Sequence, residues 1–286
     1  YQGEATKNTV RLLEENKNPL IIMATGTGKT VVGSSIIKER IARGKKVLWL
    51  AHREELIDQA KAQIDNICQI NSGLERAEHK ANLSESVIVG SVPTLRKSRL
   101  DSRFSNIHID DIFIDECHHA TADSYQTIIE FFQSRFQSNV VGLTATPDGA
   151  KGQGLKSIFS DIAYNYSLIE AIKDGNLCDL IGVKIDCEID LSGIKTIAGD
   201  LDQGALDEVM SSKIFNIAEG ILKETLGRRT IVFTVSVRMA VMLEAILKEN
   251  GIKAKALSGE SSDEERRHVI SQFRRGEITH LLNCAL

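Results

Sequence analysis

Five short apolar runs recur along the first half of the chain, far enough apart to leave room for a helix between them. They occupy residues 20–23, 47–51, 87–89, 112–114 and 140–143. Runs of this length and β-branched content are typical of strands buried on both faces of a parallel sheet. Between the second and third runs, apolar residues return every three or four positions, at Leu56, Ala60, Ile64 and Ile67. This spacing predicts a helix, and the alternation predicts a doubly wound α/β domain.

The same pattern resumes in the second half of the chain after an interruption. Residues 148–154 are polar and glycine-rich, but their glycine spacing is not the dinucleotide pattern GxGxxG, so a hinge or surface loop is a better interpretation than a cofactor site. Further strands are expected at residues 181–185, 230–234, 253–257 and 280–284, a helix at 237–249, and an irregular acidic segment at 186–207. We therefore predict two domains, residues 1–165 and residues 166–286.

Composition places the chain among globular proteins with real cores, because 42% of its 286 residues are hydrophobic and 26% are charged. Its apolar runs are far shorter than the roughly 18 to 20 residues that span a bilayer, so we expect no membrane segment. A cytoplasmic location is expected because no secretory signal is recognisable. The five cysteines have no CxxC spacing, which argues against a disulfide framework and a zinc site. With a net charge of −4, any nucleic-acid binding must depend on local basic surface.

The segment that follows the first apolar run carries the strongest chemical signal. It contains Thr25, Gly26, Thr27, Gly28, Lys29 and Thr30. Glycines let the backbone approach phosphates closely, and the positive N-terminal end of the helix expected at residues 31–41 attracts them. Lys29 would reach the β- and γ-phosphates of a nucleotide, and the Thr30 hydroxyl would hold Mg²⁺. The general pattern has glycine where Met23 stands, so a glycine turn without a ligand is the alternative to a phosphate-binding loop (P-loop, residues 23–30).

Paired carboxylates, Asp115 and Glu116, end the fourth apolar run. A P-loop enzyme needs an acidic residue there to position Mg²⁺ opposite Thr30, and a neighbouring carboxylate can polarise the attacking water. We assign Asp115 to the metal and Glu116 to the water, with a solvated strand end as the alternative.

Three segments, at residues 26–30, 115–116 and 144–146, each follow the end of a predicted strand. Ligands bind at the carboxyl ends of the strands in open parallel sheets, so these segments should meet at one edge. The adjacent Cys117, His118 and His119 diverge along the chain and cannot easily share one tetrahedral ion, so we expect no zinc there. His118 is expected to hydrogen-bond toward the nucleotide site.

In this order the motifs resemble those of superfamily 2 helicases and translocases, in the DECH-box branch that includes bacterial and phage DNA helicases and the motor subunits of type I restriction enzymes. The matching segments are residues 1–2 (the end of the adenine-reading Q motif), 23–30 (motif I), 50–56 (motif Ia), 89–95, 115–118 (motif II), 143–147 (motif III), 231–234 (motif IV) and 257–267. The resemblance covers nearly the whole chain. It implies two RecA-like domains with ATP and Mg²⁺ in the cleft between them and nucleic acid running across both.

The resemblance also implies roles for individual residues. The ATP-binding set is Gln2, Thr25, Gly26, Thr27, Gly28, Lys29 and Thr30, and the metal-binding set is Thr30 and Asp115. The catalytic residues are Lys29, Asp115 and Glu116. The residues that couple the ATP state to domain closure are His118, Thr144 and Thr146, and the nucleic-acid contacts are Arg53, Ser91 and Thr94.

Residues 282–285 resemble the opening of motif V, but the rest of that motif and motif VI do not follow, so the second RecA-like domain is expected to be incomplete at its C-terminus. Basic clusters at residues 38–46 and 266–275 are interpreted as solvated helix faces.

The expected function is an ATP-dependent helicase or translocase that acts on DNA rather than RNA. A nucleotide- and nucleic-acid-binding scaffold without turnover is the alternative, which the presence of Glu116 disfavours. A metabolic P-loop kinase is disfavoured because it needs no second α/β half.

Overall fold

The computed structural model describes residues 1–147, 154–187, 189–197 and 200–284. The chain divides into two compact units, Tyr1–Leu180 and Ile181–Leu286. The boundary expected after residue 165 falls within the strand Asp161–Tyr166, and Ala163, Tyr166 and Ala171 are buried in the core of the first unit. Of the glycine-rich loop expected at residues 148–154, only Gly154 lies within the described residues.

The first unit is a seven-stranded sheet with helices on both faces. Its strands are β1 (Pro19–Met23), β2 (Val47–Ala51), β3 (Gly73–Glu75), β4 (Val87–Ser91), β5 (Asp111–Asp115), β6 (Asn139–Thr144) and β7 (Asp161–Tyr166). Its helices are α1 (Gln2–Glu14), α2 (Lys29–Ala42), α3 (Glu54–Cys68), α4 (Lys97–Arg103), α5 (Asp123–Phe136) and α6 (Leu168–Lys173), with 3₁₀ turns at Cys117–His119 and Leu155–Ser157. The five strands expected from the apolar runs are confirmed, and β3 and β7 are added at the two edges of the sheet.

The strands of this sheet lie in the order β3-β4-β2-β5-β6-β1-β7, and the neighbours pair in parallel. Successive residues point to opposite faces. Ile21 and Trp49 therefore pack with α1, α2 and α3, whereas Ile22 and Leu50 pack with α4 and α5. Burial on both faces explains the continuous apolar runs, and the doubly wound α/β fold is confirmed.

The order of the strands brings the chemically important chain segments to one edge of the sheet. β6 lies between β5 and β1, with Asp115 opposite Leu143 and Ile22 opposite Thr144. Because the three strands are parallel, the residues that follow them leave the sheet at the same edge.

The second unit has a smaller parallel sheet. Its elements are β8 (Thr196–Ile197), β9 (Asp200–Leu201), α7 (Gln203–Ser212), α8 (Ile214–Thr225), β10 (Thr230–Phe233), α9 (Val237–Glu249), β11 (Ala254–Ser258), α10 (Asp263–Arg275) and β12 (His280–Cys284). The main sheet has the order β10-β12-β11, and β8 and β9 form a separate antiparallel pair. Leu243 of α9 packs with Leu282 on one face of the main sheet, and Val269 of α10 packs with Leu281 on the other.

The strand expected at residues 181–185 was a wrong prediction. This segment has no regular secondary structure, and Ile181 is 81% exposed. Its apolar residues alternate as they do in a strand, but a strand also needs a neighbouring backbone to pair with. The segment expected to be irregular, residues 186–207, contains β8, β9 and the start of α7, while residues 188, 198 and 199 lie outside the described ranges.

Helix length also bears on the expectation about membranes. The helix α3 has 15 residues and one polar, exposed face. Within the described ranges, no helix is both long and apolar enough to cross a bilayer.

Candidate nucleotide-binding site

The P-loop makes a tight turn between β1 and α2. Gly26 and Gly28 have φ angles of 85° and 86°, a left-handed conformation that glycine adopts at no steric cost. The buried hydroxyl of Thr27 donates to the carbonyl of Ala24 at 2.6 Å and closes the turn. Since α2 begins at Lys29, the loop ends at a helix N-terminus whose first backbone N–H groups have no intrahelical acceptor. A turn of this kind binds phosphate through backbone N–H groups and the helix dipole.

Lys29 is buried between the P-loop and the end of β5. Its Nζ donates to the carbonyl of Met23 at 3.4 Å and lies 3.9 Å from Oε1 of Glu116. Both contacts are long, so the ammonium group can take phosphate oxygens as stronger partners. Thr30 is partly exposed in the first turn of α2, and Thr25 is exposed in the loop.

Asp115 is a buried carboxylate at the end of β5. Its Oδ1 accepts a hydrogen bond from the backbone N–H of Glu116 at 3.0 Å. Burial, followed by the negative charge of Glu116, raises the pKa of Asp115 to about 6, while that hydrogen bond and the charge of Lys29 offset part of the rise. A cation beside this carboxylate would stabilise its ionised form.

Glu116 has a left-handed backbone, with φ at 48°, which is uncommon for a residue other than glycine. Its carboxylate lies between two groups that can carry positive charge, with Oε1 3.9 Å from Nζ of Lys29 and Oε2 3.4 Å from Nδ1 of His118. The side chain is 35% exposed, so water can reach it. An accessible carboxylate next to a phosphate-binding lysine can accept a proton from an attacking water.

His118 connects this carboxylate to the end of β6. Its Nδ1 lies 3.4 Å from Oγ1 of the buried Thr144. The Thr144 hydroxyl in turn donates to the carbonyl of Thr146 at 3.1 Å and accepts from the N–H of Thr146 at 3.1 Å. The structure therefore brings together the residues assigned to catalysis and to coupling, through contacts that run from Lys29 to Glu116, His118 and Thr144.

The donors near the P-loop fit Mg²⁺ by their chemistry. The hydroxyl of Thr30 and the carboxylate of Asp115 are hard oxygen ligands, and Mg²⁺ takes one or two such protein ligands together with waters and phosphates. Cys117 is buried, and burial together with the two nearby carboxylates raises the pKa of its thiol, which opposes thiolate ligation. Among the described residues, no group of three or more His, Cys, Asp and Glu side chains is placed to hold a metal ion.

Gln2 contacts the P-loop directly. Its Nε2 donates to the carbonyl of Thr27 at 3.2 Å, and the hydroxyl of Tyr1 donates to the same carbonyl at 3.0 Å. The ring of Tyr1 stacks on Tyr166 of β7, with centroids 4.5 Å apart and planes at 21°. Tyr166 could not be identified from the sequence, because no local motif marks it and its contact is with Tyr1, far away along the chain.

The three residues expected to contact nucleic acid lie at or just after the ends of β2 and β4. Arg53 is exposed directly before α3. Ser91 is buried, and the hydroxyl of Thr94 accepts a hydrogen bond from the backbone N–H of Ala77 at 2.9 Å. Arg53 is therefore the best placed of the three for an external ligand.

A groove of about 420 Å³ at the same edge of the sheet includes basic side chains that the sequence analysis did not assign. It is lined by His52, Val92, Pro93, Leu95, Arg96, Lys97, Ser124 and Thr127. His52 follows β2, whereas Arg96 and Lys97 precede and begin α4. Their proximity depends on the pairing of β2 with β4, which no single sequence window reveals.

Two family models match the chain. The model described as type III restriction enzyme, res subunit, matches residues 1–149, and the helicase conserved C-terminal domain matches residues 212–286. The chain belongs to the superfamily 2 helicases. The first match covers the P-loop and the carboxylates of Asp115 and Glu116, so the candidate nucleotide site lies within the family region of the chain.

Curated relatives agree with this membership. The chain is 31% identical over 309 aligned residues to IRC3, a candidate ATP-dependent helicase of Saccharomyces cerevisiae, and the alignment covers 100% of the chain and 44% of the relative. It is 30% identical over 238 residues to the endonuclease subunit of the type I restriction enzyme EcoAI of Escherichia coli, with 76% and 27% covered. The chain thus spans less than half the length of these relatives.

Solved structures agree in fold. Dbp5 of Saccharomyces cerevisiae, bound to RNA and ADP BeF3, aligns with a TM-score of 0.58 at 18% identity, covering 94% of this chain and 66% of Dbp5. The Hef helicase domain of Pyrococcus furiosus aligns with a TM-score of 0.60 at 16% identity, covering 98% and 85%. The predicted family and the RecA-like fold are confirmed.

Proposed function

We propose that the helicase hydrolyses ATP to move along or unwind nucleic acid, with DNA favoured over RNA. One observation carries the proposal: Nζ of Lys29 lies 3.9 Å from Oε1 of Glu116, beside the P-loop, whose Gly26 and Gly28 have left-handed backbone conformations. A buried ammonium that can hold phosphate and a water-accessible carboxylate are the two groups that ATP hydrolysis requires side by side.

In the proposed mechanism, the backbone N–H groups of the P-loop and the N-terminus of α2 bind the phosphates, and Lys29 neutralises the β- and γ-phosphates. Mg²⁺ held by Thr30 and Asp115 would offset further phosphate charge when bound. Glu116 orients the attacking water and accepts its proton. His118 positions the carboxylate of Glu116 and connects it to Thr144, which suits a relay between the reaction and the chain that follows β6.

Arg53 is proposed to contact the nucleic-acid backbone, with Ser91 and Thr94 as weaker candidates. Exposure of Arg53 beside a groove with basic side chains supports contact with phosphates rather than with bases. The preference for DNA rests on the motif set, which resembles the DNA-directed branch of the family. A cytoplasmic location stays a prediction, and the name of the Schizosaccharomyces pombe relative describes that protein as mitochondrial.

The test of the proposed function is nucleotide binding by Lys29→Ala. Removing the ammonium leaves the phosphates without a charged donor, and such a bond contributes about 1.5–3 kcal/mol, so ATP affinity should fall about 10-fold to 150-fold. Lys38→Ala, on the exposed side of the same helix, is the matched control and should bind ATP like the parent. If Lys29→Ala bound and hydrolysed ATP as well as the parent, the P-loop assignment would be wrong.

A further inference from the structure

The chain that follows β7 returns to the P-loop. β7 pairs with β1 at the edge of the sheet. The segment that begins at Tyr166, the last residue of β7, and runs to Leu177 is called here the outer segment. The backbone carbonyl of Tyr166 accepts a hydrogen bond from the N–H of Ala24 at 3.0 Å. Leu177 packs so closely that a Cβ built on Gly26 would lie 3.2 Å from its Cδ2. The outer segment therefore contacts the loop both where it leaves β1 and at its first left-handed glycine.

Tyr166 is fixed in place by the outer segment itself. Its hydroxyl donates to Oδ2 of Asp174 at 2.9 Å and accepts from Nδ2 of Asn176 at 2.8 Å. Its ring carries the stacked ring of Tyr1. A hydroxyl held from two sides allows little movement of the ring, so Tyr166 is a rigid platform for Tyr1.

The stacked ring of Tyr1 belongs to a residue that holds one peptide group of the P-loop, the one between Thr27 and Gly28. Tyr1 and Gln2 both donate to the carbonyl of Thr27. In a trans peptide the carbonyl and the following N–H point in opposite directions, so holding the Thr27 carbonyl outward directs the N–H of Gly28 to the other side. That N–H donates to no acceptor among the described residues. A Cβ at Gly28 would lie 2.6 Å from Nε2 of Gln2, so the end of the Gln2 side chain lies directly against this glycine.

We propose that the outer segment positions the P-loop for phosphate binding, with Tyr166 and Leu177 as the positioning residues. The proposal rests on the proposed function, because it assumes that the loop binds a nucleotide. A peptide group that is oriented before the ligand arrives loses less conformational freedom on binding. Since backbone N–H groups of a P-loop face the α- and β-phosphates, the outer segment sets the affinity for ATP and ADP alike.

The experiment measures the binding of Mg²⁺-ATP and Mg²⁺-ADP to the 286-residue chain and to three variants. Tyr166→Phe keeps the stacked ring and removes the hydroxyl that joins Asp174 to Asn176. Leu177→Ala removes the contact with Gly26. Tyr164→Phe, the same deletion two residues away on β7, is the matched control. Because a neutral hydrogen bond contributes about 0.5–1.5 kcal/mol, we expect Tyr166→Phe to bind both nucleotides about twofold to twelvefold more weakly. Leu177→Ala removes an apolar contact instead, and it should also weaken the binding of both nucleotides.

In steady-state turnover the same two variants should show a raised KM for ATP with kcat unchanged, whereas a loss of folded protein would lower kcat alone. Parental affinity in both variants, in an assay where Lys29→Ala has lost binding, would overturn the positioning role and leave the P-loop assignment intact. An equal loss in Tyr164→Phe would also overturn it. If Leu177→Ala folds poorly, Tyr166→Phe decides, because it removes only one oxygen atom. Unchanged binding by Lys29→Ala would instead reject the proposed function.

Discussion

Glu116 has a left-handed backbone conformation, which costs free energy for any residue other than glycine. The carboxylate of Glu116 gives a reason for this residue to occupy the position. The left-handed φ of 48° turns the chain sharply after Asp115. Glycine would remove the strain but also the carboxylate that lies between Lys29 and His118. Strained residues cluster at functional sites because surrounding contacts hold them there. The strain at Glu116 therefore supports a chemical role for the side chain.

We predict that Glu116→Gln retains ATP binding and loses hydrolysis. The amide keeps the shape of the side chain but cannot accept the proton of the attacking water, and general base catalysis contributes about 10² to 10⁴ in rate. Single-turnover hydrolysis of bound ATP measures the chemical step directly. Glu130→Gln, at an exposed position of α5, is the control and should hydrolyse at the parental rate. A scaffold without turnover would show no difference between parent and variant.

At the scale of elements, a buried ion pair fixes α2 relative to β5. Nε of Arg40 donates to Oδ2 of Asp111 at 2.6 Å, and its second nitrogen donates to Oδ1 at 3.0 Å. Asn139 of β6 donates to the same carboxylate at 3.2 Å. The helix that begins at Lys29 and the strand that ends at Asp115 are thus joined at their distant ends. This pair helps to keep the two parts of the nucleotide site in register.

Arg40→Ala should lower the free energy of unfolding of the first unit by about 3–5 kcal/mol, because it leaves the charge of Asp111 buried without its partner. Chemical denaturation followed by the fluorescence of Trp49, the single tryptophan, measures this unit specifically. Arg43→Ala removes an arginine that directly follows the same helix and pairs with Glu14 at the surface, and exposed pairs contribute about 0–1 kcal/mol. Similar losses in both variants would contradict the role assigned to Arg40.

Strands buried on both faces could be predicted from the sequence because each position of β1, β2, β4, β5 and β6 must be apolar, or nearly so. The edge strand β7 has exposed residues on its outer face and gave no such run. At residues 181–185 the opposite error occurred, and a strand was predicted where none forms. The alternation of apolar residues in this segment cannot reveal whether a partner strand is present. Pairing at an edge is decided by distant parts of the chain.

Only part of the candidate site could be predicted from the sequence. Lys29, Asp115 and Thr144 could be predicted to meet, because each follows or ends a strand of one parallel sheet. The contacts of Tyr166 with Tyr1 and of Leu177 with Gly26 could not, because they depend on how individual side chains pack rather than on where strands end. Local sequence patterns report on periodicity and turn chemistry, and they contain no information on such tertiary packing.

At the scale of the whole molecule, charge is distributed unevenly. The net charge of −4 would repel a polyanion at long range. The carboxyl edge of the sheet nevertheless presents Arg53, and the groove beside it adds Arg96 and Lys97. The proposed binding of nucleic acid would then depend on short-range contacts with phosphates at this edge, against an unfavourable overall charge.

Binding of nucleic acid at this edge should weaken as the salt concentration rises. Each phosphate contact releases condensed counterions, so the logarithm of the affinity should fall linearly with the logarithm of the salt concentration. Removing one contact with Arg53→Ala should weaken binding to unrelated DNA sequences alike and reduce the slope by about 1. Fluorescence anisotropy titrations with two single-stranded DNAs of different sequence, and with one RNA, at several salt concentrations between about 50 and 200 mM would give both quantities.

Arg11→Ala is the matched control, because Arg11 is an equally charged, exposed residue on α1, paired with Glu15. It should leave both the affinity and the slope unchanged. The slope distinguishes the loss of a phosphate contact from a distortion of the surface. A variant that only distorts the surface lowers the affinity, but the same number of counterions is released on binding and the slope does not change. An affinity that ignored salt, or a loss confined to one of the two DNA sequences, would contradict backbone contact by Arg53. Tighter binding of the RNA than of either DNA would reject the proposed preference for DNA while leaving the assignment of Arg53 intact.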